Sequence, residues 1–302
     1  MGILDELEQA ASAVVATVGP AVVRIGRGGG RGAGVVVGDG AVVTNAHNLR
    51  GPETTVTFAD GRVAMGRAAG VDVDGDLAVL AVDTAGVAPL ERAPDAPRAG
   101  AAVFAVTTGG AGGLRVSFGL VSSVGQAFRG PRGRRITGSI EHTAPLPRGS
   151  SGGPVVDGAG RLVGLNTNRL GDGFYLALPA DADLAARIDA LTRGEVPVRH
   201  HLGVALAPPR AARHLRRAVG LPERDGLLVR EVEDGSPAAG AGLQEGDLLV
   251  ASGDRALVDL DDLWAALDGV GAAGSLPLTV VRGLDEVQVS VDFAATGSAT
   301  EG

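Results

Sequence analysis

Between Ala21 and Pro179 the chain runs in short apolar, β-branched bursts separated by turn pairs, and this rhythm limits the fold more than any other feature. Val35–Val37 precedes Asp39-Gly40, Ala41–Val43 follows that turn, Val56–Phe58 precedes Asp60-Gly61, and Leu77–Val82 closes the series. After a Pro- and Ala-rich break at 94–100 the pattern resumes with Ala102–Val106, Gly119–Val124, Ile136–Ile140, Val155-Val156, Asp157-Gly158, Leu162–Leu165 and Phe174–Leu178. Many short strands with regular turn signals predict an antiparallel sandwich or barrel system, and the break at 94–100 is a natural seam between two barrels. The 49 glycines and 3% aromatic content suit tight turns and short strands, and the 45% apolar share is enough for real cores.

The flanks carry a different period. Leu4, Leu7, Ala11, Val14 and Val15 predict an amphipathic helix over 3–17, and Leu184, Ile188 and Leu191 predict another over 181–193 with Gly194 as its stop. A third unit follows, with strand-like Leu227–Val232, Leu248–Val250, Leu276–Val281 and Val287–Val291 around helical 210–219 and 260–267. With 302 residues the chain divides into an N-terminal segment (1–19), a two-barrel domain (20–182), a helix and linker (183–199), the third unit (200–293) and a flexible tail (294–302).

Chemistry concentrates in Gly149-Ser150-Ser151-Gly152-Gly153-Pro154. A nucleophilic serine needs backbone N–H groups aimed at the oxyanion it creates, and glycines let the chain turn that tightly. Serine also needs a base and an orienting acid. Thr44-Asn45-Ala46-His47 offers the base at a strand end, and Asp76, leading the apolar run Leu77–Val82, offers the acid, with Asp74 as fallback. The order His47, Asp76, Ser151 is that of chymotrypsin-like proteases. The competing nucleophile elbow of α/β-hydrolases must open a helix, whereas Pro154-Val155-Val156-Asp157-Gly158 reads as a strand and turn.

Other patterns carry less. Asp72, Asp74 and Asp76 imitate a calcium loop, but Gly75 falls at its fourth position and Asp83 at its twelfth. Gly26–Gly32 resembles a phosphate loop yet leads into a strand. None of the five histidines has the spacing of a helical zinc pair, so neither metal nor cofactor is implied. A net charge of −8 argues against nucleic-acid binding, and the basic run 129–135 reads as a solvated loop. No apolar run reaches the ~20 residues of a membrane span. An acidic N-terminus, unlike a signal peptide's, gives a cytoplasmic expectation for the chain as it stands.

Together the three segments resemble the HtrA (Deg) family, trypsin-like serine proteases followed by PDZ domains: Thr44–His47, Asp76–Leu80 and Gly149–Pro154 match its base, acid and nucleophile motifs. The resemblance implies a mainly β chain, a chymotrypsin/trypsin-like double β-barrel followed by an α+β PDZ domain. It implies a serine endopeptidase acting on unfolded or damaged polypeptide, with the N–H groups of Gly149 and Ser151 as oxyanion hole. Pro145 and Leu146 would line the base of the primary specificity pocket and Asn166, Thr167 and Asn168 one wall, favouring aliphatic residues over Arg or Lys. His201, Leu202, Gly203 and Val204 match the PDZ carboxylate loop, and the peptide would lie under a helix presenting Leu260, Leu263 and Leu267. C-terminal peptides are then partners and regulators, and a homotrimer is left open. The alternative is a PDZ peptide-binding holdase with a latent protease site. Thr143 and Ser150 stand where the family often has Asp and Asn.

Overall fold

The computed structural model describes residues 2–27, 31–108, 113–131, 133–197, 200–271 and 274–293. The tail at 294–302, the tip of the glycine loop at 28–30 and Arg132 of the basic run lie outside the described residues. Two compact units divide the chain, Met1–Val196 and Pro197–Gly302.

In the first unit, helix α1 (Ile3–Val18) precedes strands β1 (Val22–Ile25), β2 (Gly32–Gly38), β3 (Ala41–Thr44), β4 (Glu53–Thr57), β5 (Val63–Asp72) and β6 (Leu77–Ala81). These close into a barrel in the order β1-β2-β3-β6-β5-β4. Then come β7 (Ala102–Thr108), β8 (Leu114–Arg129), β9 (Arg135–His142), β10 (Pro154–Val156), β11 (Leu162–Gly171) and β12 (Phe174–Pro179), closed as β10-β11-β12-β9-β8-β7. Helix α2 (Ala182–Thr192) completes the unit.

The unbroken apolar runs of β2, β3 and β6 follow from burial on both faces. Val36, Val42 and Leu80 point into the first barrel with Val23, Ile25, Val56 and Phe58. Their neighbours Val35, Val43, Leu77 and Val79 point the other way, onto Leu165, Leu176 and Leu178 of the second barrel and Leu184 and Leu191 of α2. Each such side chain contributes about 1.5–3 kcal/mol on burial, so this shared layer fixes the two barrels against one another. The site described below sits at its edge.

Three sequence expectations change. Strand β5, Val63-Ala64-Met65-Gly66-Arg67-Ala68-Ala69-Gly70, has too few β-branched residues to signal itself, yet it closes the first barrel between β4 and β6. In α1 the buried stripe is Val14 and Val18 with Leu7, Ala10 and Ala11 packed behind them, while Leu4 is 76% exposed. The basic run is the turn of the long β8–β9 hairpin: Phe128 and Ile136 anchor it in the inter-barrel layer, and Arg134 is buried, not solvated.

The second unit is built from β13 (Val204–Ala207), α3 (Pro209–Ala218), β14 (Leu227–Val232), α4 (Pro237–Gly240), β15 (Leu248–Ser252), β16 (Arg255–Ala256), α5 (Leu260–Asp268), β17 (Ser275–Arg282) and β18 (Asp285–Asp292). Its sheet runs β13-β14-β15-β17-β18, with β16 beside β15, so among the described residues one edge of β13 has no strand partner.

Candidate active site

His47 lies in a single 3₁₀ turn, Ala46–Asn48, immediately after β3. Its Nδ1 is 2.9 Å from each carboxylate oxygen of Asp76, and its backbone N–H donates to Asp76 Oδ1 at 3.2 Å. Asp76 is 2% exposed and adopts the left-handed backbone region, φ +51°, which a short polar residue tolerates best. Three groups hold it there. Thr167 Oγ1 donates to its Oδ2 at 2.7 Å, Asn45 Nδ2 donates to its carbonyl at 2.9 Å, and the preceding turn is tied by Asp72, which accepts from Gly75 N at 2.9 Å. Arg187 of α2 completes the brace, donating to Asp72 at 3.2 Å and to the Gly75 carbonyl at 3.0 Å. With both oxygens within 2.9 Å of Nδ1, the buried Asp76 side chain can hold one imidazole tautomer in place.

Ser151 arrives from the other barrel. Its carbonyl accepts from Ala33 N at 2.8 Å and from Asn48 Nδ2 at 2.9 Å, so the nucleophile loop is stitched to β2 and to the histidine turn. Gly152 follows with φ +85°, and a Cβ there would meet the Ala33 carbonyl oxygen at 2.2 Å. Only glycine permits that approach. The Ser151 hydroxyl donates to the Thr167 carbonyl at 3.0 Å and is not bonded to His47. Among the described residues the N–H groups of Gly149 (φ +84°) and Ser151 make no hydrogen bond, which leaves both free for a substrate oxygen.

These groups face a cleft of about 560 Å³ whose lining includes His47, Asp76, Ser151 and Gly149. Leu146, Asn166, Thr167 and Asn168 also line it, as the sequence led us to expect. Pro145 does not. It is exposed, while Ala144 and Leu146 on either side are buried. Arg169 and Tyr175, paired across β11 and β12, line the cleft as well and were missed, because nothing in their local sequence marks a pocket.

Asn166 has a wider role than a wall. Its carbonyl accepts from Gly152 N at 2.6 Å, and its side chain donates to the Gly153 carbonyl at 3.0 Å. Its Oδ1 is 2.8 Å from Nε2 of His142, which is fully buried and stacked on Tyr175. Burial pushes the His142 pKa below its ordinary value, partly offset by the Asn166 contact. His142 is therefore a neutral support beneath the nucleophile loop.

In the second unit His201, exposed, precedes Gly203, whose φ of +78° and close approach to Ser236 exclude any side chain. The Leu202 carbonyl accepts from Ala238 N at 3.0 Å, and the Gly203 carbonyl from Glu233 N at 2.9 Å, so the Ser236-Pro237 turn backs this loop. Val204 is half-buried and opens β13. Leu202, Leu263 and Leu267 are core residues, 4%, 3% and 3% exposed, because the apolar stripe of α5 faces the sheet. Leu260, Trp264 and Ala266 are the half-buried hydrophobic positions of that helix.

A double barrel with a His–Asp pair from one half and a glycine-flanked serine from the other defines a trypsin-like serine peptidase, here followed by a second, peptide-recognition-type unit. Residues 32–165 match the trypsin-like peptidase domain family and 201–293 the PDZ domain family. The chain is 31% identical over 287 residues to the putative serine protease HhoA of a Synechocystis species, spanning 90% of this chain and 72% of that one. It is 28% identical over 276 residues to the serine endoprotease DegS of Escherichia coli, spanning 86% and 75%. The fold is shared with the solved HtrA-type protease AlgW with decapeptide, at a TM-score of 0.70, 23% identity and coverage of 93% and 97%. The chain belongs to the HtrA/Deg family and is a serine endopeptidase with a PDZ domain. Among the described residues there is no group of three or more His, Cys, Asp or Glu side chains that could hold a metal, and no helix long and apolar enough to cross a membrane.

Proposed function

We propose that Ser151 is the nucleophile, His47 the general base and acid, and Asp76 the group that orients the imidazole. The observation that carries this is the pairing of His47 Nδ1 with a buried, three-fold-anchored carboxylate at the mouth of the Ser151 cleft. Rotation of Ser151 about χ1 releases Oγ from the Thr167 carbonyl toward the imidazole. Oγ then attacks the scissile carbonyl as its proton passes to His47 Nε2, and the Gly149 and Ser151 N–H groups receive the oxyanion. His47 returns the proton to the leaving amine, and water, activated in turn by His47, releases the acyl group.

The polypeptide substrates are unfolded or damaged chains, since an open cleft takes an extended strand and not a folded surface. C-terminal peptides add to the unpaired edge of β13, with their carboxylate at the His201–Gly203 loop, and shift the protease toward its competent state. Fluorophosphonate labelling and casein cleavage, measured together, test this. Wild type labels and cleaves; Ser151→Ala loses labelling and about 10⁴- to 10⁶-fold in cleavage. An unlabelled wild type overturns the assignment. In the same assay a saturating hydrophobic C-terminal peptide raises cleavage about 5- to 100-fold, and an unchanged rate overturns the regulatory part.

A further inference from the structure

The charge of the cleft is opposite to the charge of the chain. The protein carries a net −8, yet three arginines, Arg129, Arg148 and Arg169, line the cleft. Asp76 is the sole carboxylate among its described lining residues, 2% exposed and committed to His47 and Thr167. A basic substrate side chain would therefore meet like charge and, among the described lining residues, no uncommitted carboxylate.

Arg169 is the informative member. It lies two residues beyond Thr167 on β11, about 7 Å along the strand, and the Thr167 carbonyl is where the Ser151 hydroxyl rests. That is the wall past which the side chain preceding the scissile bond must go. Arg169 Nη2 donates to the Tyr175 hydroxyl at 3.3 Å, and that hydroxyl donates to the Leu146 carbonyl at 3.4 Å. The guanidinium carbon stands 5.4 Å from the Tyr175 ring centroid. The cation is thus held to the pocket's far wall, with one of its five donors engaged. Among the described residues neither Arg169 nor Arg148 has an ion-pair partner. Arg169 is exposed, so this one bond and the ring contact leave its other donors open to a carboxylate fork, whereas an aliphatic side chain offers them no partner.

We propose that Arg169 determines primary specificity and that the protease cleaves after acidic residues, in place of the aliphatic preference expected from Pro145 and Leu146. This rests on Ser151 being the nucleophile. Arg148, exposed beside the oxyanion loop, extends the positive field to acidic neighbours along the substrate.

Peptides identical except for Glu, Gln, Val or Lys before the scissile bond test it, with kcat/KM expressed per fluorophosphonate-labelled site so that misfolded molecules are not counted. Wild type prefers Glu over Val by about 10- to 100-fold, the worth of one charge-assisted contact, and the ratio falls at high salt. Arg169→Ala loses the preference, and Arg169→Glu turns it toward Lys. A labelled wild type that favours Val, or a charge reversal that leaves the Glu-to-Val ratio unchanged, overturns the proposal while the catalytic assignment stands. A wild type that neither labels nor cleaves any peptide overturns both.

Discussion

Asp76→Asn lowers kcat about 10⁴-fold with little change in KM. The carboxylate accepts from His47 Nδ1, from His47 N and from Thr167 Oγ1, at 2.9, 3.2 and 2.7 Å. An amide offers one oxygen and must turn its NH₂ group toward one of those donors. The Thr167 hydroxyl can rotate to accept, but where the NH₂ faces Nδ1 the imidazole must accept there and carry its proton on Nε2, where it can no longer receive one from Ser151. Asparagine tolerates the left-handed backbone at this position as well as aspartate does, so the fold is kept and the melting midpoint moves by only a few degrees. Steady-state kinetics beside a thermal melt check this. A loss below tenfold would mean that the carboxylate does not orient the base.

Gly152→Ala acts on the fold and the site together. A Cβ at this position would stand 2.2 Å from the Ala33 carbonyl oxygen and 2.6 Å from Thr44 Oγ1, and φ is +85°. Neither neighbour is a flexible side-chain end: Ala33 is backbone of β2, and Thr44 Oγ1 is itself bonded to that carbonyl at 2.7 Å. The nucleophile loop must lift away from β2, breaking the Ala33 N to Ser151 carbonyl bond. The expected cost is about 3 kcal/mol, which lowers the midpoint of the first unit by about 5–10 °C. Fluorophosphonate labelling falls with it. A variant that melts and labels like wild type would show that the loop has slack this geometry does not reveal.

The candidate catalytic residues were legible because the chemistry proposed for them demands recognisable neighbours. Glycines must flank Ser151, a strand end must present His47, and an apolar run must bury Asp76, so each leaves a mark in the linear sequence. The braces around them are less visible. Asn45 and Thr167 lie in segments the sequence marks for other reasons, and Asn48 and Arg187 in none; all four reach the site through bonds between residues distant along the chain. Pro145 was misplaced for a related reason: the approach to the nucleophile is irregular, and no period fixes which side chain points inward. Strand β5 was invisible because its place in the barrel is set by what β4 and β6 need as a partner, not by its own propensity. The stripe of α5 was read correctly as apolar, but apolarity alone does not separate a groove from a core.

The layer of Val35, Val43, Leu77 and Val79 against Leu165, Leu176 and Leu178 joins the half that carries the base to the half that carries the nucleophile. During synthesis the first barrel emerges with His47 and Asp76 but without a serine to activate. With Ser151 as the nucleophile, a chain whose second barrel has not yet closed holds a base and an acid with nothing to activate. The first barrel thus needs no inhibitory segment to stay inert while the rest is made.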